Sequence, residues 1–158
     1  MSSPSPSDSV IKRVVISAPP EHVFKFFTET SMLLQWIGTE AEVDARPGGV
    51  FRVVPNRVDV IRGIFREVDP PHRIVFTWGF EGDGQALPPG GSEVEITLTP
   101  VPGGTEVTLV HRALPPSIRD DHARGWDHYL ARIDAAAMGR SQGPDSLADP
   151  TTRHGTAR

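Results

Sequence analysis

The chain has six histidines and no cysteine, so acid–base chemistry near neutral pH falls to imidazole. The same count excludes thiolate catalysis, disulfides and cysteine-ligated zinc. Hydrophobic patterning puts two histidines, His111 and His122, on inward faces. An imidazole there could hydrogen-bond a ligand carbonyl or hydroxyl, or exchange a proton with it. The plainer alternative is a histidine satisfied by backbone at a rim. The rest form no metal set: His122 and His128 are six apart, on different faces of a helix, and His22, His72 and His154 are scattered. No metal and no cofactor is expected. Gly90-Gly91-Ser92-Glu93-Val94 is not a Gly-x-Ser-x-Gly elbow. The glycine-rich stretches lack the Gly-Lys-Ser/Thr of a phosphate loop. Glu93 and Glu95 point outward in the register derived next, a solvated pair and not an acid–base dyad. Arg52 and Asp127 are further polar candidates that could equally face solvent.

A hairpin positions His111. Taking Val101-Pro102-Gly103-Gly104 as its loop pairs Leu98 with Val107, Ile96 with Leu109 and Val94 with His111. The opposite face pairs Thr99 with Glu106, Thr97 with Thr108 and Glu93 with Arg112. Alternation of this kind means one wet face and one covered face. A second hairpin, Gly63–Trp78, turns at Asp69-Pro70-Pro71-His72, where proline presets φ and cannot donate to a ladder. It sets Phe65 opposite Phe76 and Gly63 opposite Trp78, the glycine leaving room for the indole. Arg62, Arg66 and Thr77 fall on its other face.

His122 belongs to a helix expected over Ser117–Met138, opened by Ser117 and Asp120 after Pro115-Pro116. His122, Trp126, Tyr129, Leu130, Ile133 and Ala137 recur on one side of it. A helix of this length extends ~33 Å at 1.5 Å per residue, enough to lie across a sheet. Gly125 interrupts it at a cost of about 1 kcal/mol; a close backbone approach beside Trp126 is the expected reason.

Upstream, Val10–Ser17 reads as a strand. Pro19-Pro20-Glu21 suits the first turn of a helix over about Pro20–Phe27, where missing N–H groups cost little. A short helix is expected over Ser31–Trp36. Strands follow at Glu40–Ala45, Val50–Val54, Val58–Asp69, Arg73–Gly79, Glu93–Pro100 and Glu106–Ala113. Residues 1–9 and 139–158 read as unstructured tails, leaving 10–138 as one domain. The connection Phe80–Ser92 is long for a hairpin and carries Ala86-Leu87 amid polar residues; loops of this length are often lids or simply mobile.

Bulk properties narrow the partners. At 158 residues and a formal charge of −4, with pI near 5.8, nucleic acid is not an expected partner, since phosphate binding needs a basic surface. No apolar run approaches the roughly 20 residues that span a bilayer. The first residues lack the basic-then-apolar pattern of a signal peptide. A cytoplasmic location is the default, and a homodimer is left open.

Strand, two short helices, six strands and a long terminal helix is the order of an α+β helix-grip fold: a curved antiparallel sheet wrapped around a C-terminal helix. Trp36-Ile37-Gly38, Pro47-Gly48-Gly49 with Phe51-Arg52, the Gly63–Trp78 hairpin, Gly103-Gly104-Thr105 running to His111, and Gly125-Trp126 before Leu130 resemble a particular family. It is the C-terminal-like domain of activators of the ninety-kilodalton heat-shock-protein ATPase, within the START/birch-pollen-allergen/polyketide-cyclase-like (SRPBCC) superfamily. The resemblance implies an apolar cavity between sheet and terminal helix, with a small hydrophobic molecule as the partner. Its wall would be Trp36, Phe51, Phe65, Phe76 and Trp78, with Ile96 and Leu98 from the next strand. Trp126, Tyr129, Leu130 and Ile133 would close it from the helix, and His111 and His122 would supply its polar groups. The ordinary alternative is that these residues simply fill a core. The expected function is binding of a small, largely apolar ligand. The alternatives are a cyclase- or dehydratase-like reaction using the two histidines, and a co-chaperone-like interaction module. Eukaryotic co-chaperones of the family carry an additional N-terminal domain, which 158 residues are not expected to hold beside this one.

Overall fold

Alternating β-branched residues and glycine–proline turns lay down seven strands, and two clusters of aromatic residues in helical spacing flank them. The computed structural model describes residues 9–55 and 59–139. Both expected tails (apart from Ser9 and Gly139) and Val58, the expected start of one strand, lie outside the described residues. The order is β1 (Val10–Ile16), α1 (Pro20–Thr28), α2 (Thr30–Leu33), β2 (Glu40–Val43), β3 (Val50–Val54) and β4 (Ile61–Asp69), then β5 (Arg73–Trp78), β6 (Ser92–Val101), β7 (Gly104–Arg112) and α3 (Pro116–Ala137). The strands form one antiparallel sheet in the order β1-β7-β6-β5-β4-β3-β2. This is the expected helix-grip architecture: a curved sheet with α3 packed on its inner face.

The β6–β7 hairpin has the register read from the sequence, with Val94 opposite His111, Ile96 opposite Leu109 and Leu98 opposite Val107. Its turn is tighter than the expected four residues. Val101 pairs with Gly104, so Pro102-Gly103 alone make the corner, with Gly103 at φ +87°. Proline then a left-handed glycine is the type II arrangement.

The β4–β5 hairpin differs near its turn. Asp69 pairs with Arg73, and a bulge between Phe65 and Glu67 restores the expected register, so that Phe65 does face Phe76. Such a bulge bends the strand and adds twist, which curves the sheet under α3. The glycine opposite the indole is required more strictly than by room for a ring. A Cβ at Gly63 would collide with the Thr77 carbonyl. Thr77, expected on the wet face, is buried, and its Oγ1 accepts the Ile64 N–H at 2.9 Å.

α3 begins one residue earlier than expected, with Pro115 at its cap and no side-chain capping bond. Ser117 therefore does not cap it; the prolines set the entry through their fixed φ. The second short helix also ends early, at Leu33, and continues as turns through Trp36. Trp126, Leu130 and Ile133 are buried against the sheet, each contributing about 1.5–3 kcal/mol of apolar burial. No helix of the described residues is long and apolar enough to cross a membrane.

Candidate functional site

The inner faces of β3, β4 and β5 present a run of rings. Phe51 stacks on Phe76 with centroids 4.2 Å apart, and Phe65 meets both edge-on. Because Gly63 lies between Phe51 and Trp78 without a side chain, those two rings approach across it to 6.2 Å. Trp126 of α3 continues the run, 5.3 Å from Trp78 and 6.4 Å from Trp36. Trp36 donates its indole N–H to the Phe26 carbonyl at 2.8 Å. Tyr129 lies 5.9 Å from Trp36, edge-on. Ile96, Leu98, Leu130 and Ile133 are buried beside them.

Both inward histidines join this surface, and both are held by indoles. Trp126 Nε1 donates to His111 Nδ1 at 3.0 Å. Indole nitrogen can only donate, so Nδ1 carries the lone pair and the His111 proton sits on Nε2. That proton points to Ser92 Oγ at 2.8 Å, and Ser92 in turn donates to the Trp78 carbonyl at 2.8 Å. The second clasp runs the other way: Trp78 Nε1 donates across to His122 Nε2 at 3.3 Å, while His122 Nδ1 donates to the Ile118 carbonyl at 3.0 Å. Helix and sheet thus exchange tryptophan and histidine, one pair in each direction. The two imidazoles are 5.3 Å apart and perpendicular.

Both rings are kept neutral. Burial drives His111 well below its ordinary value, and the neighbouring His122 adds to this. Burial also lowers His122, against the Ile118 carbonyl and Asp121, which favour its charged form. Ser92 and His111 have the separation of a nucleophile–base pair, but their hydrogens run the wrong way. A general base needs its lone pair facing the hydroxyl, and here the Trp126 N–H has forced that lone pair to the opposite side. His111 is a fully buried member of the clasp, and His122 is only partly buried.

Gly125 overturns one expectation. A Cβ there would meet no atom of the described residues within 4 Å beyond its own turn of helix, so no close backbone approach explains it. Gly125 stands three residues after His122 and four before Tyr129, on the helix stripe that both occupy. Those neighbours face Trp78, Phe80 and Trp36. Gly125 itself is only half-buried, so the room above it opens at the edge of this stripe.

The Phe80–Ser92 connection packs on the Trp78–His122 edge of this surface. Phe80 leans on Trp78 and His122, with centroids 6.4 and 5.8 Å away, and its N–H bonds the carbonyl of the buried Leu87 at 2.8 Å. Glu81 is held by Arg52 and Arg62 at 3.0 and 3.1 Å. Arg52 is thus engaged at the base of this loop, and Asp127 pairs with Lys12 of β1; neither reaches the interior. Glu93 and Glu95 do lie on the outer face, bound to arginines. Among the described residues no three His, Asp or Glu side chains gather as a metal site.

Residues 17–138 match the family described as Activator of Hsp90 ATPase homolog 1-like protein. The chain belongs to that family. An AHSA1-like protein from Rhizobium etli, solved in solution, is 40% identical over 92% of this chain and 91% of its own, with a TM-score of 0.67. DynU16, a protein in the dynemicin biosynthetic locus, is 25% identical with a TM-score of 0.73, over 85% of this chain and 49% of its own. The human activator of 90 kDa heat shock protein ATPase homolog 1 is 26% identical over 78% of this chain. The chain spans about a third of that protein's length, 35%, so the AHSA1-like match carries family and fold but not the activity in the human protein's name.

Proposed function

We propose that this AHSA1-like domain binds a small, neutral, largely apolar molecule between α3 and the sheet. The observation that carries this is the pair of neutral, desolvated imidazoles set among aromatic rings between helix and sheet, with His122 at the less buried edge beside Trp78 and Phe80. Pockets of this kind combine an aromatic lining with a few placed polar groups, and the polar groups here are neutral imidazoles and indoles. The place of DynU16 in a biosynthetic locus fits a small-molecule role. Phe80 would act as the cover, with Leu87 and Glu81 anchoring its loop.

A ligand at a hundred times its Kd adds about 2.7 kcal/mol of stability, a shift of several degrees in Tm. Neutral aromatic compounds should produce that shift in the native chain. Gly125→Leu, one turn from His122 and Tyr129 on the same stripe, should weaken it by crowding that edge, and should fold, since leucine favours helix over glycine by about 0.8 kcal/mol. If no compound in a broad apolar panel moves the Tm, the reading fails. An undiminished shift in Gly125→Leu would place the ligand elsewhere.

Proton transfer on a bound ligand is the second reading. His122 favours it, because its neutral Nε2 could take a proton from a ligand hydroxyl once the 3.3 Å bond from Trp78 opens. His122→Gln should then abolish turnover and leave binding measurable.

A further inference from the structure

We propose that the ligand carries a hydroxyl group, and that this hydroxyl inserts between Trp78 Nε1 and His122 Nε2, accepting from the indole and donating to the imidazole. This rests on the preceding reading that an apolar ligand binds between α3 and the sheet. The Trp78–His122 bond is the looser of the two clasps, 3.3 Å against 3.0 Å for Trp126–His111. It is also the less buried one: His111 is fully buried, while His122 is only partly so and lies beside Phe80.

The hydrogens fix the chemistry of the guest. The Trp78 indole can only donate. The Ile118 carbonyl can only accept, so it holds the His122 proton on Nδ1 and leaves a lone pair on Nε2. A group placed between them must accept on one side and donate on the other, and a hydroxyl does both. A carbonyl or ether oxygen satisfies the indole but leaves Nε2 without a donor. A carboxylate does the same and brings a charge to a site lined by neutral groups. An ammonium leaves the indole N–H without an acceptor. An unsatisfied buried polar group is costly, so a hydroxyl compound should bind about tenfold more tightly than its methyl ether. Hydrophobicity alone favours the ether, so the two effects oppose each other.

The experiment is calorimetric titration at pH 7.5 with 2-naphthol, 2-methoxynaphthalene, naphthalene and 2-naphthoate. The expected order puts 2-naphthol first by about tenfold and 2-naphthoate last. In His122→Phe the advantage of 2-naphthol over naphthalene should disappear while naphthalene still binds. Equal affinities of 2-naphthol and its ether in the native chain would overturn the hydroxyl assignment and leave the apolar reading standing. Binding by none of the four would overturn both. Should His122→Phe not fold, indole N–H resonances of the native chain give the answer. Added 2-naphthol should move the Trp78 signal and leave Trp126 in place, and an unmoved Trp78 signal overturns the proposal.

Discussion

The two faces of strands β5, β6 and β7 solve the same problem of cross-strand polar contact in opposite ways. On the outer face, charges run in a ladder: Arg66 to Glu93, Glu93 to Arg112, Arg112 to Glu95, Glu95 to Arg73 and Arg73 to Glu67. On the inner face, one residue away along the same strands, His111, Ser92 and Trp78 are neutral and desolvated, and each hydrogen has a single acceptor. The ladder is redundant at its centre: losing Glu95 leaves Arg112 with Glu93 and Arg73 with Glu67. The clasp has no substitute partners, so a lost member leaves an orphan. The largest test of that contrast is Trp126→Ala, which removes a buried indole and the donor to His111. It should cost about 3–5 kcal/mol by denaturant titration, and a loss below about 1 kcal/mol would break the contrast.

His111→Leu sharpens it. The imidazole volume is kept roughly, but the Trp126 N–H loses its acceptor, at a cost of about 1–3 kcal/mol. On a Trp126→Phe background no donor is stranded, and the same His111→Leu change should be close to neutral. Additive costs in this double-mutant cycle would mean that the histidine acts by packing alone.

The readability of the two faces also differs, for a physical reason. Alternation fixes which face a strand residue takes, so Val94–His111 and Ile96–Leu109 were legible, as was the inward set on α3 from its 3.6-residue repeat. Register near a proline turn was not: the bulge after Phe65 depends on how Asp69 and Arg73 close three residues. Donor direction was not legible either. Which histidine nitrogen holds the proton follows from Trp126 and Ile118 reaching His111 and His122 in space, and no spacing encodes that. Gly125 shows the same limit, because nothing in the spacing tells a close backbone contact from an open helix edge.

Titration separates the faces without mutation. His111 and His122 have folded pKa values below their unfolded ones. Above about pH 6.5 neither state binds the proton, and their neutral clasp contributes in full. As pH falls through that value the unfolded chain takes up protons that the folded chain refuses. Stability then drops by up to about 1.4 kcal/mol per pH unit for each histidine that stays neutral. Denaturant midpoints between pH 7.5 and 5 should show this decline in the native chain and a shallower one in His111→Leu. Identical slopes would mean that His111 is not the group responsible.

The outer ladder should respond in a different window and to salt. Burial of Glu95 raises its pKa, but hydrogen bonds and charge from Arg112 and Arg73 outweigh this and hold it below its ordinary value. Its contribution is therefore present at neutral pH and lost only as pH falls below about 4.5, beneath the histidine range. Glu95→Gln should cost about 1 kcal/mol at low salt, the smallest of these effects. One molar salt shortens the Debye length to about 3 Å, so the cost of Glu95→Gln should shrink there while that of His111→Leu stays the same. If both costs fall together, the inner contacts are electrostatic in the same sense as the outer ones, and the distinction between a neutral clasp and a charged ladder is lost.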